Sequence, residues 1–227
     1  MYDVIIVGAR CAGSPTAALL ARKGHKVLVV DRARFPSDTM STHFIHHPGV
    51  AHLARWGMLD KMMATNVPPI TSTAFGAVGE PPVEIPPIPG IPGAIAPRRT
   101  VLDKILVDEA VAAGAELREN FTFEDVVRED DRVVGIRGRS TEGNTVTEKA
   151  LLVVGADGRH SSFATAVGAD AYKHVAPLGC GYYSYWSGFA NKGVEVYFLD
   201  TNVFILFPTN DGLTVVIALW PVDRFRR

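Results

Sequence analysis

Asp3-Val-Ile-Ile-Val7, then Gly8-Ala-Arg-Cys-Ala-Gly13, then Ser14-Pro-Thr-Ala17, with Val27-Leu-Val-Val30 and Asp31 further on, is the stretch whose reading decides the fold. An uninterrupted apolar run of this length predicts a buried strand, and Gly8 permits a sharp exit from it. The small residues that follow predict a helix, with Gly13 and Ala17 letting it lie close against the sheet. A second apolar strand ends on an acid. Strand, turn, helix, strand and acid in that order describe a dinucleotide site: the helix N-terminus faces a pyrophosphate and Asp31 meets a ribose hydroxyl.

The turn departs from the usual G-x-G-x-x-G because Arg10 stands where a middle glycine normally lets backbone approach phosphate. Arg10 either points away from the turn or supplies a charge-assisted contact to phosphate. Cys11 lies in the same turn. A helix N-terminus can lower a thiol's pKa there, and the plainer reading is a small residue in a crowded bend.

Working outward, 227 residues at 47% hydrophobic can bury a real core, in one large domain or two small ones. A net charge of -1 from 23 basic and 24 acidic residues creates no field favouring nucleic acid or an anionic membrane surface. No apolar run approaches a membrane span, and no basic-then-apolar leader opens the chain, so the expectation is a cytoplasmic protein without stable membrane insertion. Cys11 and Cys180 are far apart and form neither a C-x-x-C pair nor a metal-ligand cluster.

Residues 32–43 read as a polar loop, and the apolar periodicity from Gly49 to Met63 as a helix. Between 66 and 97, prolines at 68, 69, 81, 82, 86, 87, 89, 92 and 97 punctuate short β-type runs such as Thr71 to Val78, an excursion of edge strands and turns. A helical pattern starts at Arg98-Arg99-Thr100, with Thr100 and Asp103 resembling a capping pair and Gly114 marking the stop. Ala115 to Arg118 reads as a strand. Phe121 to Arg128, Arg132 to Arg139 and Thr145 to Lys149 then read as a meander turning at Asp130-Asp131 and Glu142-Gly143-Asn144.

Leu151 to Val154 returns to a buried strand and runs into Gly155-Ala-Asp157-Gly158-Arg-His-Ser161, a second glycine-bearing turn at the end of a strand, where cofactors bind. From Leu178 the chain is strand-like again, in Tyr182 to Phe189, Val194 to Leu199, Val203 to Phe207 and Leu213 to Trp220. These are expected to form an antiparallel sheet with the earlier excursion.

The turn from Gly8 to Gly13 with Asp31, the segment Arg99-x-x-Leu102-Asp103-x-x-Leu106, and Gly155-Ala-Asp157-Gly158 with Arg159 and Ser161 together resemble one flavoprotein superfamily over nearly the whole chain. It is the FAD-dependent group of p-hydroxybenzoate hydroxylase-like monooxygenases, geranylgeranyl reductases and flavin-dependent halogenases. The resemblance implies an α/β fold: a Rossmann-like FAD-binding domain with a parallel central sheet and β-meander (1–65 and 97–175), plus a partial antiparallel substrate sheet (66–96 and 176–227). It places Gly8, Ala9, Ala12 and Gly13, with Arg10 if that side chain turns inward, at the FAD pyrophosphate. Asp31 and Arg32 fall at the adenosine ribose, Val126 at adenine, Arg99 on the flavin side, and Asp157 with Gly158 at the middle of the cofactor. Asp157 and Arg159 are also candidates for NAD(P)H, the implied electron donor. Singly, Asp31 can cap its own turn, Arg99 can be a solvated charge and Asp157-Gly158 a plain turn.

The superfamily's third cofactor element, a C-terminal Gly-Asp segment, is not found, and the chain stops at Pro221-Val-Asp-Arg-Phe-Arg-Arg227. The expectation is a truncated product, a fragment or a split subunit, with a missing C-terminal segment or a companion subunit as partner beside a small-molecule substrate. The activity implied first is NAD(P)H-driven hydroxylation of an aromatic or polyketide-like molecule through a flavin hydroperoxide. The alternatives are reduction of isoprenoid double bonds and a non-catalytic FAD-binding remnant. Phe204-Ile-Leu-Phe207-Pro208 sits where the halogenases carry an aromatic strand, but their tryptophan pair is absent. His43, His46, His47 and His52 have no recognised ligand spacing, and His43 can act in a proton relay or simply fill a polar loop. Tyr182, Tyr183, Tyr185 and Trp186 line an aromatic pocket or pack a sheet.

Overall fold

A computed structural model describes residues 1–77, 80–85, 93–189, 191 and 193–225. In chain order the elements are β1 (Tyr2–Val7), α1 (Gly13–Ala21), β2 (Val27–Val30), α2 (His47–Arg55), α3 (Leu59–Met63), β3 (Pro69–Ile70), β4 (Thr73–Ala77), β5 (Val83–Ile85), β6 (Ala94–Ile95) and α4 (Arg99–Ala112). There follow β7 (Glu116–Arg118), β8 (Thr122–Glu129), β9 (Arg132–Arg139), β10 (Thr145–Gly155), α5 (Ser162–Val167), β11 (Gly179–Trp186), β12 (Val194–Leu199), β13 (Asn202–Pro208), β14 (Thr214–Pro221) and α6 (Val222–Phe225). Val78 and the prolines at 86, 87, 89 and 92 lie outside the described residues. Among the described residues no helix is long and apolar enough to cross a membrane.

The chain divides into two compact units, Met1–Met40 with Arg99–Tyr172, and Ser41–Arg98 with Lys173–Arg227. The first holds a six-stranded sheet in the order β7-β2-β1-β10-β9-β8. Ile5 and Ile6 point to opposite faces of β1 yet are both fully buried, as expected of a central parallel strand covered on two sides. One side is the cluster of Ile5, Val7, Leu28, Val30, Phe121 and Ile136.

β10 is one strand with two partners. Its first half pairs antiparallel with β9, from Thr145↔Arg139 to Lys149↔Gly135, and its second half pairs parallel with β1, from Tyr2↔Ala150 to Val7↔Gly155. The sequence reading split it at residue 150 because the residue pattern changes there from alternating to continuous. The apolar run also predicts burial of Leu151 to Val154, whereas Leu151 and Leu152 are each 55% exposed. Pairing, rather than burial on both faces, keeps that segment extended.

The second unit contains a sheet in the order β11-β14-β13-β12-β4-β5 and the small pair β3-β6. The four strands expected after residue 178 are present and antiparallel to one another, but β4 joins β12 in parallel, from Val194↔Thr73 to Phe198↔Ala77. The sheet is therefore mixed, and the excursion enters it by a crossover rather than a hairpin. Phe207, Val215, Ile217, Ile70 and Ala96 form its core.

Residues 41–65 group with this unit rather than with the cofactor domain to which the sequence reading assigned them. Ile45 bridges to Ile95 and the Phe44 ring meets Phe207 edge-on, 5.4 Å between centroids. The helix expected from Gly49 to Met63 is two helices, α2 and α3, because Gly57 between them adopts φ 73°.

Candidate functional site: a double glycine bend in the first unit

The adjacent parallel strands β1 and β10 end side by side, Val7 paired with Gly155, and each runs into a glycine-bearing bend. Gly8 takes φ +105°, and a Cβ there would lie 2.4 Å from the Ala156 carbonyl oxygen and 2.9 Å from the Asp157 nitrogen. Only a residue without a side chain allows the two bends to touch. Gly13 is excluded from substitution differently: its Cβ would lie 1.7 Å from the Gly8 carbonyl oxygen, so α1 starts directly against the bend. Ser14 Oγ donates to the Ala9 carbonyl at 2.6 Å and closes the loop. Ala12, the residue before α1, provides no side-chain cap. At that end the Ser14 amide is bonded to the Arg10 carbonyl at 3.0 Å and Pro15 has no amide hydrogen, so of the first three helical residues Gly13 alone offers an amide to an anionic group.

Asp31 fastens the same bend. Its Oδ2 accepts from the Ala9 amide and its Oδ1 from the Ala33 amide, both at 2.8 Å. The second bond is the local turn cap considered in the sequence reading, and the first reaches across to the glycine bend. Each carboxylate oxygen retains a lone pair for a further donor such as a ribose hydroxyl. Arg32 beside it is exposed.

Arg10 leaves the bend sideways. Its guanidinium pairs through Nη1 with Asp103, donates through Nη2 to Ser37 Oγ at 3.0 Å, and lies 5.3 Å from the centre of the Phe35 ring. Asp103 is completely buried and also holds Arg99, whose Nε and Nη2 donate to Oδ1 at 3.1 and 2.9 Å, with Nη2 again 2.9 Å from Oδ2. Arg99, with 12% side-chain exposure, is therefore not a solvated charge. Asp103 is not a helix cap either: its carboxylate goes to two guanidiniums. This triad escaped the sequence reading because Arg10 and Asp103 are 93 residues apart and nothing local couples them.

Cys11 Sγ lies 3.5 Å from Asp103 Oδ1. The residue reaches solvent at the surface, but its sulfur faces the crowded side of the bend. Loss of hydration, with the neighbouring carboxylate adding to it and Arg99 opposing, pushes the thiol up to about 11. The raised pKa and the neighbouring carboxylate weigh against a reactive thiolate and favour the small-residue reading.

In the second bend Gly158 adopts φ +91°. Asp157 works as a cap for α5, accepting from Ser161 Oγ at 2.5 Å and from the Phe163 amide at 3.0 Å, while Ser161 Oγ accepts from Ala164 at 2.9 Å. α5 itself was not foreseen; its doubled cap comes from Asp157 and Ser161, with Ala164 where a capping box would carry Glu or Gln. Arg159 is exposed. The Val126 amide on β8 donates to Asp125 Oδ1 at 2.8 Å, so a base edge approaching that amide competes with Asp125.

The second unit has its own features. His43 is 3% exposed, at φ 61°, with Nε2 2.6 Å from Tyr185 Oη, and Arg98 lies 4.5 Å from the centre of the Tyr185 ring. His46 meets Phe44 edge-on and His52 stacks on Trp56, and among the described residues no cluster could hold a metal ion. On the other face of the sheet an open cleft of about 480 Å3 is lined by apolar side chains, among them Trp186, Phe189, Tyr197, Phe204, Leu206 and Val216. Trp186 lines it, while Tyr183 and Tyr185 pack on the core.

The profile of the FAD binding domain family matches residues 1–222. The chain belongs to that family. Among curated relatives, the menaquinone reductase of Mycolicibacterium smegmatis is 35% identical over 180 residues, 76% of this chain and 41% of that protein. Digeranylgeranylglycerophospholipid reductase 2 of Methanopyrus kandleri is 28% identical over 224 residues, 93% of this chain and 52% of that protein. The chain thus spans about half the length of the curated relatives it matches. The myxobacterial chondrochloren halogenase, an FAD-dependent halogenase, superposes with a TM-score of 0.83 at 22% identity over 99% of this chain and 54% of that one, a likeness of fold.

Proposed function

We propose that this FAD-binding-family chain is the cofactor-holding part of an FAD-dependent oxidoreductase that reduces a carbon–carbon double bond in a polyprenyl-type substrate. The observation that carries the cofactor assignment is the cradle itself. A Cβ at Gly8 or Gly13 would overlap backbone, so these glycines let the two bends and the start of α1, with its Gly13 amide, pack together at the ends of β1 and β10. Gly8, Ala9, Ala12 and Gly13 would hold the pyrophosphate, and Asp31 and Arg32 the ribose. Val126 would meet adenine, Asp157 and Gly158 the middle of the cofactor, and Arg99 the flavin side. Bound flavin supplies hydride transfer, with NAD(P)H as donor. The chain's own residues orient the cofactor and exclude water from it.

Two things support a long apolar substrate. The cleft of the second unit is lined by apolar side chains. The two curated relatives named above are reductases, one named for menaquinone and the other for a digeranylgeranylglycerophospholipid. A second reading, hydroxylation of an aromatic compound, is favoured by the rings of Trp186, Phe189, Tyr197 and Phe204 around the same cleft.

Purified protein incubated with FAD and then gel-filtered is expected to retain the yellow flavin spectrum. Given NAD(P)H and a polyprenyl quinone without oxygen, it is expected to yield a product that still carries two added hydrogens in its prenyl chain after the quinone ring is reoxidised. Oxygen uptake with insertion of one oxygen atom supports hydroxylation instead. Colourless protein refutes the cofactor assignment.

A further inference from the structure

We infer that Asp103 is a positioning residue that holds the Arg10 side chain off the dinucleotide bend, so that a bound pyrophosphate meets backbone where Arg10 has replaced the middle glycine. The inference rests on the FAD reading above. Arg10 sits at the one position of the bend where a side chain threatens the approach of phosphate. Its guanidinium is nevertheless committed on three sides: to Asp103 on α4, to Ser37 Oγ at 3.0 Å, and to the face of the Phe35 ring at 5.3 Å.

Asp103 is fully buried and needs cationic partners to remain charged there. Arg99, gripping both of its oxygens from the same helix, already supplies one. The second guanidinium is thus drawn across from the bend by a carboxylate that does not require it for neutrality. What the arrangement does achieve is to keep the backbone of Gly8 to Gly13 accessible.

FAD titration of four proteins tests this: the unsubstituted chain, Arg10→Gly, Asp103→Asn and the double variant, each checked for folding by circular dichroism. Arg10→Gly is expected to bind FAD within about threefold of the unsubstituted chain, because no phosphate contact is lost. Asp103→Asn releases Arg10 towards the phosphates and is expected to tighten binding about tenfold, the scale of one charge-assisted hydrogen bond, with a steeper salt dependence. In the Arg10→Gly background the same substitution still loosens Arg99 but has no Arg10 to release, so the tightening should be absent there, which a purely structural role for Asp103 does not predict.

A loss of about tenfold in Arg10→Gly makes Arg10 a phosphate ligand and overturns the inference. So does a weakening by Asp103→Asn, or an equal effect of it in both backgrounds. If Asp103→Asn does not fold, a loss of about tenfold in Arg10→Gly still overturns the inference. Failure of the unsubstituted chain to bind FAD refutes the cofactor reading and this inference with it, whereas binding with an Arg10→Gly loss refutes only the latter.

Discussion

Gly13→Ala sets two physical effects of opposite sign against each other at one atom. Gly13 is the first residue of α1, where alanine is favoured over glycine by up to about 1 kcal/mol on helix propensity. Against this, the added Cβ would stand 1.7 Å from the Gly8 carbonyl oxygen and 3.2 Å from Ile6 Cγ2. The first of these neighbours is backbone, so no rotamer change relieves it. The bend must move by more than an ångström, and Gly8 cannot yield freely because it abuts Ala156.

Overpacking of this kind costs about 3 kcal/mol. Crowding therefore exceeds propensity, leaving a net loss of about 2 kcal/mol, which for a chain of this size lowers Tm by about 4–8 °C. Scanning calorimetry of the two proteins reads this directly, and FAD titration should show a parallel loss of more than about tenfold as the bend and the Gly13 amide are displaced. A Tm that rises, or moves by less than about 2 °C, would mean that propensity dominates and that the helix does not start against the bend.

Other outcomes follow from the same geometry. Asp31→Ala removes the acceptor of the Ala9 amide as well as the proposed ribose contact, so FAD affinity is expected to fall by about tenfold to a hundredfold in equilibrium titration; unchanged affinity refutes the assignment. Cys11, with its thiol at about 11, is expected to alkylate far more slowly at pH 8 than an unhindered cysteine, and rapid labelling followed by mass spectrometry would contradict its placement beside Asp103. Tyr2 is raised to about 12 by burial and by its hydrogen bond to Glu116, with Arg118 opposing. Since its folded pKa lies above the unfolded value, the contribution is fully present below pH 10 and is lost between about pH 10 and 12. Tyr2→Phe should flatten the denaturation curve in that window, and an unaltered curve counts against the pair.

What could be read from the sequence was what is local. β1, α1 and β2 follow from apolar runs and small residues in register, and the hairpin of β8 and β9 follows from Asp130-Asp131, where Asp130 does take a positive φ. Asp31 was legible because a β-α-β unit sets its place. The role of Asp103 was not, since its register on a helix looks like a cap and its distant partner is invisible to any local pattern. The same holds for β4, whose apolar alternation announces a strand but not whether its neighbour runs with it or against it. Gly57 interrupts an amphipathic pattern that continues correctly on both sides, so periodicity alone reads through the break.

The dual pairing of β10 has a mechanical consequence. The hairpin with β9 and the ribbon beside β1 share one uninterrupted backbone from Thr145 to Gly155, with no joint between them. Tension applied to the meander is conveyed along that backbone to the bend carrying Asp157, so the outer hairpin cannot swing as an independent flap. Amide exchange should accordingly decline smoothly along this strand instead of stepping at residue 150, and loosening the hairpin should be felt where the two glycine bends touch.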